Sequence, residues 1–219
     1  MTLPTVAVLG GTGHQGRGIA LRLGRAGYRV IVGSRDIGRA AAAVSEWPPT
    51  TGRITADGYD GAARAAAITV LAVPFEAIDA LLDGLRSSLS PGTLVIDVTV
   101  PITFGSAGAS MVVAAEGSAT EHIKARLPDG VRLAGAFKTL PAHLLNDLDR
   151  PVDCDEFICG DSAEARAEAS SLASAFEGLR PVDVGPLSRA RSIEHLTLLA
   201  IAINRKHKVH DARYRVAGL

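Results

Sequence analysis

The sequence predicts an α/β protein built on a doubly wound, mostly parallel sheet, and three observations carry that expectation. Short runs of branched apolar residues alternate with stretches of helical character, as in parallel strands covered by helices. The strand runs are apolar throughout rather than alternating, which suits strands buried on both faces. The first of them, Val6-Ala7-Val8-Leu9, leads directly into a glycine-rich turn and then a helix.

Taken in order, a helix is expected over residues 16–26, stopped by Gly27, then a strand at Val30-Ile31-Val32 and a helix over 37–46. Trp47-Pro48-Pro49 breaks the pattern before a short edge strand, Ile54-Thr55-Ala56, and an alanine-rich helix reaching Ala66. Strands at 68–73 and 94–98 flank a helix over 76–87. Residues 99–117, rich in Gly, Ser and Pro, read as one long loop, a feature usually functional or mobile inside a compact domain. A helix over 118–127 and a strand over 131–137 follow. The polar stretch 147–155, with Pro151, is the best boundary in the chain. It divides a dinucleotide-binding domain, 1–150, from a small C-terminal α/β extension, 151–219, with a strand at Phe157-Ile158-Cys159, a helix over 163–176, a strand near Val182 and a helix over 188–203.

Composition narrows the function classes. The 219 residues are 47% apolar and 21% charged, which excludes a disordered chain. Lys plus Arg and Asp plus Glu each number 23, so no global field attracts nucleic acid or an anionic membrane. The longest apolar runs fall short of a bilayer span. Met1-Thr2-Leu3-Pro4 has no cationic head or apolar signal region, and a cytoplasmic location is expected. Cys154 and Cys159, the only cysteines, have neither disulfide-framework nor zinc-site spacing, and no metal is expected. His122, His143, His207 and His210 show no ligand spacing and read as surface groups. Positive charge gathers in the tail, at Arg205, Lys206, Lys208, Arg213 and Arg215.

Gly11-Thr12-Gly13-His14-Gln15-Gly16 matches G-x-G-x-x-G between a strand and a helix, the context in which the pattern is specific for dinucleotides. The first glycine permits a tight turn, the second lets backbone approach a pyrophosphate, and the third allows helix to pack on strand. The helix N-terminus offers unpaired N–H groups to the phosphates. A glycine-rich turn that merely stabilises the junction is the competing interpretation. The Rossmann-type arrangement follows, with residues 11–16 as cofactor-binding positions. Gly10, Gly13 and Gly16 also fit the spacing of short-chain dehydrogenases, but Tyr28, Tyr59 and Tyr214 are followed four places on by Val32, Ala63 and Gly218, so the Tyr-x-x-x-Lys pair is missing.

An NAD site usually has an acid at the end of the second strand, to accept from the ribose hydroxyls. Here Gly33-Ser34-Arg35 stands there, and the first acid is Asp36. A hydroxyl and a guanidinium suit the extra phosphate of NADP, with Arg39 one helical turn further on as a second cation. The alternative is a solvated basic patch partly neutralised by Asp36.

Several motifs recur in order along nearly the full chain: Val8-Leu9-Gly10-Gly11-Thr12-Gly13, Val32-Gly33-Ser34-Arg35, Val73-Pro74-Phe75-Glu76, Asp97-Val98-Thr99-Val100-Pro101, Val152-Asp153-Cys154-Asp155, Cys159-Gly160-Asp161, Gly185-Pro186-Leu187, Arg191 with Glu194-His195-Leu196-Thr197, and Asn204-Arg205-Lys206-His207-Lys208-Val209-His210. Together they resemble the NADPH-dependent coenzyme F420 reductases, or F420H2:NADP oxidoreductases. The resemblance implies a Rossmann domain with a small C-terminal extension, usually dimeric, and direct hydride exchange between NADP(H) and the deazaflavin coenzyme F420. It places nucleotide contacts at Thr12, Ser34, Arg35 and Arg39, with Val73 and Pro74 beside the cofactor. It maps the deazaflavin pocket onto Pro74, Val100, Pro101, Lys138, Leu140, Arg191, His195 and Thr197. Lys138 stands where relatives carry His or Gln, and His195 replaces a smaller polar residue found in some of them.

Hydride transfer between two cofactors needs no nucleophile and no side-chain acid at the reacting carbon, so no catalytic side chain is assigned. The protein supplies orientation, electrostatics and exclusion of water, with the reacting carbons roughly 3–3.5 Å apart. Lys138 is expected to stabilise charge developing on the deazaflavin ring or to hold an anionic tail, the other reading being a solvated lysine at a strand end. Arg191, Glu194 and His195 share one helical face. Arg191–Glu194 is read there as an intrahelical ion pair or as part of the pocket. Two other functions remain open at this point: an NADPH reductase acting on a flavin, imine or carbonyl acceptor, and a non-catalytic NADP sensor.

Overall fold

The computed structural model describes residues 2–106 and 108–219. Met1 and Ala107, which fall in the expected N-terminal segment and the expected long loop, lie outside the described residues. Ten strands and eight α-helices are found among the described residues. In chain order these begin β1 (Val6–Leu9), α1 (His14–Arg25), β2 (Val30–Ser34), α2 (Ile37–Ser45), β3 (Ile54–Gly58), α3 (Tyr59–Arg64), β4 (Ile68–Leu71), α4 (Ile78–Leu85) and β5 (Leu94–Asp97). They continue with β6 (Ile102–Gly105), β7 (Gly108–Met111), α5 (Ala119–Lys124), β8 (Arg132–Gly135), α6 (Ala142–Asn146), β9 (Cys154–Gly160), α7 (Ala163–Ser174), β10 (Leu179–Gly185) and α8 (Ala190–His207).

Eight strands form one sheet in the order β10-β9-β8-β5-β4-β1-β2-β3. From β3 to β8 every neighbouring pair is parallel, so their carboxyl ends share one edge. The order reverses between β1 and β4, which opens a crevice at that edge, the place where ligands bind in open α/β sheets. β9 runs antiparallel to β8, which brings the start of β9 to the same edge, and β10 runs parallel to β9. Val6, Val8, Val30 and Val32 point to the face covered by α1, α6 and α7. Ala7, Leu9 and Ile31 point to the opposite face, under α3, α4 and α5. The strictly apolar strand sequences follow from burial on both sides.

Residues 151–219 extend this same sheet and core. Val152 and Cys154 belong to the apolar cluster that contains Val6 and Ile96, and Phe137 stacks on Phe176 at 5.2 Å. The expected long loop is different in kind: residues 102–111 carry an antiparallel hairpin, β6 with β7. Its sequence is legible only as a loop because neither face is buried; Phe104 is 74% exposed. The basic tail is not simply solvated. Tyr214 donates through its hydroxyl to the Leu196 carbonyl at 2.6 Å, and Arg213 and Arg215 pair with Asp211, Asp153 and Asp155. No helix of the described residues is long and apolar enough to cross a membrane.

Candidate active site

The glycine turn joins β1 to α1 at the carboxyl edge. Gly10 has φ +78°, and a side chain there would strike the Ala72 carbonyl oxygen at 2.5 Å. A Cβ at Gly16 would lie 2.6 Å from the Gly10 oxygen, so α1 starts flush against the turn only because both positions lack side chains. At Gly13 the nearest heavy atom to such a Cβ is 3.3 Å away, leaving the outer side of the turn open. The N-cap of α1 is Gly13, and no side-chain cap is made there, so the first-turn N–H groups are left to solvent or a ligand among the described residues. This cradle fits a pyrophosphate on both counts: backbone can approach closely, and the unpaired donors favour an anion.

Next to the turn lies a cavity of about 580 Å³, lined by Ser34, Arg35, Tyr59, Val73, Pro74 and Glu76 among others. Its position beside the end of β2 suits an adenosine. Asp36, the carboxylate closest in sequence to Arg35, is occupied as the N-cap of α2, where it accepts from the Arg39 backbone N–H at 2.9 Å. The Asp36 N–H in turn donates to Ser34 Oγ at 3.2 Å. Arg35 and Arg39 are exposed. Thr12, Gly13 and His14 are exposed on the open side of the turn, whereas the Gln15 side chain faces the other way, donating from Nε2 to the Phe137 carbonyl at 2.9 Å.

The residues expected around the second substrate do not form one group. Pro101, Arg191 and His195 line a cavity of about 240 Å³ walled by residues 111–118 and by α8. Leu140 and Thr197 line another, of about 430 Å³, between the start of α6, α8 and the tail. Val100 is half-buried at the end of β5, beside Pro101. Arg191 and Glu194 make no pair; the Glu194 carboxylate turns inward and accepts from the Ala119 N–H at 3.1 Å. His195 Nδ1 contacts the Arg191 carbonyl at 2.7 Å.

Lys138 lies between the two cavities and faces neither. Its side chain is 0% exposed, with Nζ 2.6 Å from Asp97 Oδ2 and 3.4 Å from Glu194 Oε1. It also donates to the Thr99 carbonyl. Both expected readings are therefore corrected: the ammonium is not solvated, and it is not presented to a ligand. Glu194 and Thr197 of α8 hold Lys138 from one side, through its ammonium and its carbonyl. Burial opposes the charge, but attraction to Asp97 and then Glu194 outweighs it and raises the Lys138 pKa. Glu194 is pushed up, by burial first and by Asp97, against the pull of Lys138. Asp97 keeps three further donors: the Thr99 N–H, the Thr99 hydroxyl and the Thr120 hydroxyl, each at 2.7 Å. Thr197, expected at the ligand, donates to the Lys138 carbonyl at 2.9 Å. Lys138 thus ties α8 to the strand ends through both its ammonium and its carbonyl.

Sequence reading missed Asp97 and Glu156, and gave Glu194 only Arg191 as a partner. Asp97 lay in a recognised motif without a partner to give it meaning. Glu156, at the start of β9, is fully buried, and burial pushes its carboxyl up to about 8. Its Oε2 lies 3.4 Å from the Thr139 hydroxyl, and Oε1 has no partner. His122, expected as a plain surface group, bridges Glu116 at 2.9 Å and Asp79 at 2.7 Å. Both thiols are buried, which raises Cys154 to about 12 and Cys159 to about 11, so neither is a nucleophile at neutral pH.

A doubly wound sheet, an open glycine cradle at its switch point and a Ser–Arg pair at the end of β2 are the marks of a dinucleotide-binding protein. The family model described as "NADP oxidoreductase coenzyme F420-dependent" matches residues 5–101. The F420-dependent NADP reductase of Methanothermobacter marburgensis is 39% identical over 98% of this chain and 98% of its own length. That of Methanocaldococcus jannaschii is 32% identical, again over 98% of each. A crystal structure from Arthrobacter sp. FB24, provisionally assigned as an F420-dependent NADP reductase, superposes with a TM-score of 0.83 at 25% identity, covering 97% of this chain and 98% of that one. The chain belongs to the family of F420-dependent NADP reductases.

Proposed function

We propose that this chain transfers a hydride directly between NADP(H) and coenzyme F420, in the sense NADPH + F420 + H⁺ ⇌ NADP⁺ + F420H2. The observation that carries the reading is the pair Ser34–Arg35 at the end of β2, facing the adenosine cavity with its neighbouring carboxylate engaged elsewhere as a helix cap. An exposed guanidinium beside a hydroxyl suits a phosphorylated ribose, although Asp60 and Glu76 line the same cavity. The two coenzymes carry the redox chemistry, and the chain needs to bind, align and dry them. The likeness to F420-dependent NADP reductases over nearly the whole chain supports this acceptor over a flavin, imine or carbonyl, and over a sensor.

Within this reading, residues 1–150 hold the nucleotide, and residues 151–219 close the second pocket. Gly11, Thr12, Gly13, His14 and Gly16 contact the pyrophosphate largely through backbone, and Arg39 adds a second cation to Arg35. Val73 and Pro74 wall the nicotinamide side. Val100, Pro101, Arg191 and His195 face the deazaflavin from one side, and Leu140 and Thr197 from the other. Lys138 serves this pocket through the helix it anchors. We also place the enzyme in the cytoplasm, where two buried free thiols are expected to stay reduced. A homodimer fits the exposed apolar side chains Phe104, Val113 and Leu199 on and near the hairpin and α8. The defining experiment mixes purified protein with NADPH and oxidised F420 and follows loss of the deazaflavin's visible absorbance. Turnover is expected with NADPH and not with NADH. Tight NADPH binding without turnover would point to a sensor instead.

A further inference from the structure

Gln15 occupies a glycine-motif position whose side chain is free to take any role, yet here it leaves the nucleotide side altogether. Its amide reaches across to the turn that follows β8, donating to the Phe137 carbonyl at 2.9 Å and to the Leu140 carbonyl at 3.4 Å. Gln15, Gly18 and Arg22 share one face of α1 by i, i+3, i+7 spacing, and that whole face is fastened to residues 137–150. Asn146 donates to the His14 carbonyl at 2.8 Å and accepts from Arg17 at 2.6 Å. A Cβ at Gly18 would lie 2.5 Å from Leu145 Cβ, so the two helices touch. Arg22 donates to the carbonyls of Leu144, Leu145, Asp147 and Arg150.

The front end of this seam is the strained part. Phe137 has φ +58°, a left-handed conformation that a bulky residue adopts only when its surroundings enforce it. Its ring stacks on Phe176 and its carbonyl is held by Gln15. The residues that leave this turn, Thr139, Leu140 and Pro141, line the cavity against α8. Arg22, Asn146 and the helix contact fix the rear of the segment. Among the described residues, only the Gln15 amide connects the nucleotide end of α1 to the strained turn.

We propose that Gln15 is a positioning residue that couples the two substrate sites, holding the 137–140 turn in register with the N-terminal end of α1. The proposal rests on the functional reading above. Because the turn is strained, it relaxes when the strap is cut. Because the strap springs from the first turn of α1, a dinucleotide seated there stiffens the strap and with it one wall of the deazaflavin pocket. Binding of either substrate then favours the other, by reciprocity.

The test measures F420 affinity by fluorescence with and without saturating NADP⁺, in the parent enzyme and in Gln15→Met, which keeps the side-chain length and loses the donor. NADP⁺ is expected to tighten F420 binding about 5-fold or more in the parent, the lower range of common couplings. In Gln15→Met the factor should fall to about 1, with F420 KM raised, kcat little changed and the NADP⁺ Kd measured alone within about 2-fold of the parent. Gln15→Glu, which sets a carboxylate against two carbonyls, should lose the coupling as well. Coupling retained in Gln15→Met, or absent from the parent, would overturn the proposal. So would a tenfold loss of NADP⁺ affinity alone, which would make Gln15 a nucleotide contact. The parent's turnover separates the two levels: if it reduces F420, any of these results counts against the strap alone, and if it does not, the functional reading falls and the strap with it.

Discussion

Replacing Lys138 with methionine tests whether the buried cation holds the second pocket together. The substitution keeps the volume and removes the charge that sits 2.6 Å from Asp97 and 3.4 Å from Glu194. Asp97 loses little solvation, since three donors remain on it. Glu194 is left with the Ala119 N–H alone and with a like charge nearby, so most of the cost falls there. Breaking a buried pair by removing one partner costs about 3–5 kcal/mol. For a chain of this size each kcal/mol lowers Tm by roughly 2–4 °C, so a fall of about 10 °C is expected near pH 8. Glu194 already has a raised pKa, and loss of the cation raises it further. The folded variant therefore takes up a proton that the unfolded chain holds less tightly, and the deficit should shrink towards pH 5. Adding Glu194→Gln should recover at least half of the loss at pH 8. Thermal unfolding followed by circular dichroism measures all of this. A fall of under 2 °C at pH 8, or a double variant no more stable than the single one, would refute the reasoning.

Three further outcomes follow from the same geometry. Arg35→Ala should weaken NADPH binding roughly 10- to 100-fold, the worth of a charge-assisted hydrogen bond, and leave NADH unchanged by calorimetry. Glu156 is fully buried with its pKa near 8, above the unfolded value of 4.5, so it binds more protons folded than unfolded. Its contribution is intact below about pH 4.5 and is lost progressively as pH rises to 8; Glu156→Gln should accordingly raise Tm at pH 9 relative to the parent and make little difference at pH 4. Gly16→Ala places a methyl 2.6 Å from the Gly10 carbonyl oxygen, where backbone rather than a flexible side chain must yield, so NADPH binding should fall by an order of magnitude or more in fluorescence titration.

The sheet was legible because parallel strands buried on both faces leave an unmistakable apolar record, and the glycine turn because its geometry admits one residue type. Val30–Ser34 and the Ser34–Arg35 pair sit where the pattern puts them. The hairpin at 102–111 escaped because it buries no face and so shows no alternation. Lys138 was misread for a related reason: a lysine after a strand is usually solvated, and only the position of α8, set by contacts about 56 residues away in sequence, closes it in. The same holds for Gln15, whose partner lies 122 residues on. Periodicity reports what a residue does within its own element, and these long-range polar contacts leave no mark in it.

Single-turnover reduction of F420 with NADPH deuterated at nicotinamide C4 examines direct transfer itself. The label should arrive at C5 of the deazaflavin, one deuterium per F420 reduced, with none released to water when the transferred face carries the isotope. Deuterium found in solvent, or a deazaflavin that stays oxidised while NADPH is bound, would contradict the account.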